Sequence, residues 1–140
     1  MSTIKDGVYL FALPNSSGSC ISDPGEGRYL PLLPPGAIDE DAHKIVVKWN
    51  EERGGYSLQF KKSGKYLAFE GPPGINNKLL DGDKPRYFKI TEHVYDSEKY
   101  AITVSEDTKY HIGLAMERIF PPWVAMSSFP EVQAWDIKKV

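Results

Sequence analysis

An all-β fold made of three similar units is what this sequence predicts, on three observations. Twelve glycines and eleven prolines make up about 16% of the 140 residues, against a typical ~12%, and they separate short aromatic and β-branched runs. No window of a dozen residues carries the apolar period of an amphipathic helix. The runs also recur along the chain, and a recurrence of 40 to 50 residues signals a repeat architecture.

The elements follow in order. Val8-Tyr9-Leu10-Phe11, Tyr56-Ser57-Leu58-Gln59-Phe60 and Tyr100-Ala101-Ile102-Thr103-Val104 read as strands. Their leading tyrosines stand 47 and then 44 residues apart. Ten residues after the second and third come Lys65-Tyr66 and Lys109-Tyr110, and eleven after the first comes Cys20. A further run precedes each start: Val47-Lys48-Trp49, Phe88-Lys89-Ile90 and, at the end, Trp135-Asp136-Ile137. Val47, Phe88 and Trp135 are therefore expected in one core layer. The last run has no tyrosine strand after it, so the N-terminal strand is expected to take that place. Such closure removes exposed sheet edges. Three four-stranded units around a pseudo-threefold axis describe a β-trefoil of twelve strands, formed by residues 1–140 as a single domain.

Composition narrows the functional classes. Seventeen basic and nineteen acidic residues leave a net charge of −2, so nucleic acid, whose binding usually needs a basic face, is not the expected partner. No apolar run is long enough to span a membrane, and Met1 to Asp6 does not open a signal peptide. A lone cysteine, Cys20, fits a reducing, cytoplasmic setting, and a monomer is expected. The sequon at Asn15 matters only on a secretory route.

Catalytic chemistry finds little footing. His43, His93 and His111 are scattered and read as surface or turn residues, none having a partner at metal-ligand spacing. Ser63-Gly64-Lys65 lacks the upstream glycine of a phosphate loop. Cys20 falls inside a strand, which suits a small core residue better than a nucleophile. Asp39-Glu40-Asp41 and Glu51-Glu52 read as solvated turns rather than a catalytic pair. No enzyme activity, metal or cofactor is expected.

Binding remains, by one of two routes. Ricin-type lectins end each unit with Gln-x-Trp, and Gln133-Ala134-Trp135 matches; Ile45-Val46-Val47 and Arg86-Tyr87-Phe88 stand as its counterparts. The other route is a surface loop. Asp23-Pro24-Gly25-Glu26-Gly27-Arg28-Tyr29 joins turn formers to one basic side chain, with proline-stiffened Leu30 to Gly36 after it. Arg28 is the only Lys or Arg between Lys5 and Lys44, and the stretch Asp23 to Gly27 is expected to be exposed. A loop held extended loses little entropy on binding, and arginine suits an acidic specificity pocket.

These residues carry a resemblance. Over essentially its whole length the chain resembles the small fungal (mushroom) β-trefoil serine protease inhibitors. The resemblance rests on Asp6-Gly7-Val8-Tyr9, Leu32-Leu33-Pro34, Gly55-Tyr56-Ser57-Leu58, Tyr87-Phe88-Lys89-Ile90 and the ending Phe129-Pro130-x-x-Gln133-x-Trp135-x-Ile137. It implies inhibition of proteases, trypsin-like ones first, in a defensive role, with residues 22–29 entering the cleft and Arg28 filling the primary pocket. The mycocypins, cysteine protease inhibitors of the same type, are echoed by Pro24-Gly25-Glu26-Gly27-Arg28-Tyr29. That resemblance implies a role for Asn76 and Asn77 against asparaginyl proteases. Arg118, in Glu117-Arg118-Ile119-Phe120, offers a further loop, and carbohydrate binding stays open as the lectin alternative.

Overall fold

The computed structural model describes residues 3–25 and 28–140. Its strands are β1 (Gly7–Leu13), β2 (Ser19–Ile21), β3 (Leu32–Leu33), β4 (Ile45–Asn50), β5 (Gly55–Phe60), β6 (Tyr66–Ala68), β7 (Leu80–Gly82), β8 (Phe88–Glu92), β9 (Tyr100–Val104), β10 (Asp107–Leu114), β11 (Val124–Ser127) and β12 (Asp136–Lys139). Unit 1 holds β1–β4, unit 2 β5–β8 and unit 3 β9–β12. Two short 3-10 turns, Pro14–Ser16 and Glu40–His43, interrupt them. The second turns the acidic cluster Asp39-Glu40-Asp41 into a capped turn, with the Asp39 carboxylate accepting from the Asp41 N–H.

Alternation along the strands puts one face inward, and the pairing closes that face into a ring. β1 pairs with β4, β4 with β5, β5 with β8 and β8 with β9. β12 returns to β1, Phe11 opposite Ile137, and touches β9 through a Tyr100–Trp135 bridge. The termini therefore join the ring as expected. The three tyrosines occupy equivalent places: Tyr9 faces Ile45, Tyr56 faces Phe88, and Tyr100 faces Trp135. This register corrects the expected layer, because Ile45 stands with Phe88 and Trp135. Val47 lies one layer on, with Ile90 and Ile137, opposite Leu58, Ile102 and Phe11. Ile45, Phe88 and Trp135 have no exposed surface, and each such side chain stabilises the fold by roughly 1.5–3 kcal/mol. A register shift in β10 likewise sets His111, not Tyr110, in the place held by Tyr66 and Cys20.

The remaining strands form three hairpins that cap one end of the ring. Their backbones meet on the pseudo-threefold axis in a closed triangle of hydrogen bonds: Leu30 N–H to Leu79 O (3.1 Å), Leu79 N–H to Val124 O (2.9 Å) and Val124 N–H to Leu30 O (3.1 Å). All three residues are buried, so the triangle satisfies groups that would otherwise be costly. A second set repeats the symmetry, with Asp81, Met126 and Leu32 donating to the carbonyls of Arg28, Asn77 and Pro122. At the other end of the ring, the Tyr56 hydroxyl accepts from the Thr3 and Ile4 N–H groups and donates to the Ile4 carbonyl. Cys20 is buried within β2, as its strand position predicts.

Candidate functional site

The threefold cap gathers all three candidate loops at one end of the molecule. Arg28 lies between β2 and β3, Asn76 and Asn77 between β6 and β7, and Arg118 between β10 and β11. Arg28, Asn77 and Pro122 occupy equivalent positions, since their carbonyls accept the three symmetry-related bonds described above.

The first loop is tied down at both ends. Asp23 donates its N–H to Ala42 O (2.9 Å) and its carboxylate accepts from Gly25 N–H (3.0 Å), a turn that places Gly25 at φ +64°. These bonds hold Asp23 and Pro24 half-buried, which corrects the expectation of exposure there; Gly25 is exposed. Glu26 and Gly27 fall outside the described residues. Arg28 is exposed, its guanidinium 2.5 Å from Glu70 and its carbonyl bound to Asp81 N–H at 3.2 Å. Tyr29 sets its ring edge-on to Trp123, with centroids 4.9 Å apart.

The two asparagines act as braces. Asn76 takes a left-handed backbone (φ +62°), which asparagine tolerates. Its side chain crosses to the third loop, accepting from Met116 N–H (2.8 Å) and donating to Glu117 (3.1 Å). Asn77 donates to the carbonyls of Glu70 and Pro72. Lys78 also pairs with Glu117, and these contacts, the lysine first, hold the Glu117 carboxyl below the usual range. Arg118 follows directly. It is exposed, has no carboxylate partner among the described residues, and is flanked by the exposed Met116, Ile119 and Phe120.

Beside this loop, unit 3 opens a groove of about 230 Å³ in which His111, Gly113, Glu131 and Gln133 meet the rings and chains of Phe129 and Met116. Phe129 is half-exposed. His111 lies under it, its Nε2–H donating to Phe129 O at 2.7 Å, while Nδ1 has no partner among the described residues. A Cβ at Gly113 would lie 2.7 Å from Gln133 Cγ, so glycine here leaves the Gln133 side chain its place. Gln133 accepts from Asn15 at 3.2 Å through Oε1, and none of the described groups takes its amide N–H₂.

Register also corrects the Gln-x-Trp comparison. The counterparts of Gln133-Ala134-Trp135 are Arg86-Tyr87-Phe88 and His43-Lys44-Ile45, not Ile45-Val46-Val47. Arg86 bonds Glu106 (2.7 Å) as Gln133 bonds Asn15, each reaching the next unit's first turn. His43 instead meets the Ser22 hydroxyl at 2.9 Å. Trp135 is core, its indole N–H donating to Ile112 O at 2.8 Å. His43 and His111 are both buried rather than at the surface, because a hydroxyl and a carbonyl distant in sequence receive them. Burial pushes the His43 imidazole below its ordinary range and the Cys20 thiol above its own. Among the described residues no three His, Cys, Asp or Glu side chains gather at metal-binding distances, and no helix is long and apolar enough to cross a membrane.

Neither a family model nor a curated protein sequence matches the chain. Solved structures do. A Macrolepiota procera ricin B-like lectin in complex with lactose superposes with TM-score 0.83 at 18% identity, over 99% of this chain and 100% of that one. The Rhizoctonia solani agglutinin gives 0.76 at 16%, over 100% and 99%. Polyporus squamosus lectin, bound to a human-type influenza-binding epitope, gives 0.78 at 14%, over 99% of this chain and 50% of its own. At these identities the likeness establishes the fold: a β-trefoil, shared with lectins of fungi.

Proposed function

We propose that this chain is a carbohydrate-binding β-trefoil whose ligand sits in the unit 3 groove. The observation that carries the reading is the meeting of a half-exposed aromatic ring, Phe129, with the polar edges of Glu131 and Gln133. Sugars have apolar C–H faces and hydroxyl edges, so they need such mixed walls: aromatic surface for the face, a few fixed donors and acceptors for the edge. Gln133 brings a free amide donor and Glu131 a carboxylate acceptor. The fold shared with ricin B-like lectins supports the same reading. The test is a glycan array probed with the labelled chain and with Glu131→Ala and Phe129→Ala. Signal on a defined set of saccharides, lost in both variants, is expected; wild-type signal that survives both moves the site elsewhere.

A second reading, protease inhibition through the cap loops, is favoured by one observation: Arg118, without a carboxylate partner among the described residues, is exposed on a loop that Asn76 and Lys78 brace. A rigid loop with an exposed basic side chain suits the acidic pocket of a trypsin-like protease. Arg28 can serve the same role once its pair with Glu70 opens, but its carbonyl is already engaged by Asp81. Assays against trypsin, papain and legumain with Arg28→Ala, Arg118→Ala and Asn77→Ala separate these loops. Loss in one variant identifies its loop, and no inhibition by the wild type removes the reading.

A further inference from the structure

A second cleft, away from the groove and the cap loops, lies between the β4–β5 turn, the entrance to β8 and the β9–β10 turn. It encloses about 470 Å³, and its charged side chains are Arg53, Lys84, Arg86 and Glu106. Of these cations only Arg86 is neutralised, by Glu106 at 2.7 Å. Arg53 and Lys84 are exposed and have no carboxylate partner among the described residues. Of the neighbouring acids, Glu51 is turned to the Trp49 indole, Asp83 is paired with Lys65, and the exposed Glu52 does not line the cleft. The cleft is thus a positive spot on a chain whose net charge is −2.

Its walls are held in place before any ligand arrives. The Arg86 guanidinium lies 3.7 Å over the Phe69 ring and donates to the carbonyls of Phe69 (2.9 Å) and Gly71 (3.2 Å). Arg53 rests over Tyr87 at 5.5 Å. Ser105 also lines the cleft, but its hydroxyl is buried against Gly55 and does not face the opening. The two cations without a carboxylate partner among the described residues favour an acceptor-rich anion.

We propose that this cleft binds an oxyanion, a sulfate or phosphate group or a carboxylate, with Arg53 and Lys84 supplying the charge and the hydrogen bonds. The site is independent of the carbohydrate groove, because none of its residues lines that groove.

The test is an amide-resolved NMR titration of the isotope-labelled full chain with sodium sulfate, against sodium chloride at equal ionic strength. Saturable shifts are expected at Arg53, Lys84, Ser105 and Glu106. The double variant Arg53→Ser/Lys84→Ser should weaken binding about tenfold, the scale expected when charge-assisted contacts are lost. A heparin-derived sulfated disaccharide and its desulfated form distinguish the source. Tighter binding of the sulfated sugar than of sulfate assigns a saccharide-borne group, and equal binding assigns the free anion; both support the proposal. It is overturned by an absence of localised shifts, by equal shifts from the desulfated sugar, or by sulfate binding that the double variant leaves unchanged.

Discussion

Replacing Trp135 with alanine tests the packing of the fold most sharply. Trp135 is fully buried in the layer it shares with Ile45 and Phe88, and its indole N–H donates to Ile112 O at 2.8 Å. Truncating a core Trp costs ~3–5 kcal/mol, and the abandoned Ile112 carbonyl adds about 1 kcal/mol more. The sum is a large share of a typical domain's whole stability. At roughly 4 °C per kcal/mol for a chain of this length, the melting temperature should fall by about 15–25 °C. Trp135→Phe separates the terms. Phenylalanine already fills the equivalent place at Phe88, so the loss should shrink to about 1–2 kcal/mol, mostly the orphaned carbonyl. Urea unfolding followed by fluorescence of the remaining tryptophans measures both. A loss below about 1 kcal/mol for Trp135→Ala would show that the layer does not carry the stability assigned to it.

Three further outcomes follow from named groups. Burial depresses the His43 pKa from the ordinary 6.5, so the unfolded chain takes up a proton before the folded one does. Stability is therefore full above 6.5 and falls as the pH drops through the folded value; urea midpoints at about pH 7.5 and pH 5 should show this, and His43→Asn should reduce the slope. An unchanged slope would assign the acid sensitivity elsewhere. Cys20 is buried with its thiol pKa raised, so a thiol reagent should label the native protein slowly and the urea-unfolded protein at once; equal rates contradict the burial. Gly113→Ala drives a Cβ into Gln133, whose side chain can swing away; saccharide binding should weaken while the melting temperature changes little, and unchanged binding would remove Gln133 from the site.

Much of the fold is legible in the sequence because a ring of half-buried strands repeats its demands. Tyr9, Tyr56 and Tyr100 mark three equivalent strand starts, and the period of their spacing survives the loops between them. The error at Val47 has a physical source. Ile45 and Val47 point to the same face, so a two-residue slip leaves the alternation intact, whereas a one-residue slip would expose the core set. The register shift in β10 hid His111 behind Tyr110 in the same manner, since no residue type announces it.

The site was less legible, because its geometry comes from contacts between units. Asn76 read as a candidate ligand-facing residue, yet its amide spans to Met116 and Glu117 some forty positions on. Arg28 stood out by its isolation in sequence, while its pairing with Glu70 and Asp81 depends on threefold assembly. Phe129, Glu131 and His111 come from separate stretches of unit 3, and only the Gln133 match in the sequence points to that unit. The cationic cleft joins Arg53 and Lys84 from two turns, with no motif to link them.

Carbohydrate binding in unit 3 is tested most directly by the glycan array with the intact chain. Signal should appear on a restricted set of saccharides and vanish in Glu131→Ala, a substitution at an exposed position that leaves the core untouched. Silence of the wild-type chain across the whole array, with trypsin inhibited in parallel and released by Arg118→Ala, would contradict the account and transfer the function to the cap loops.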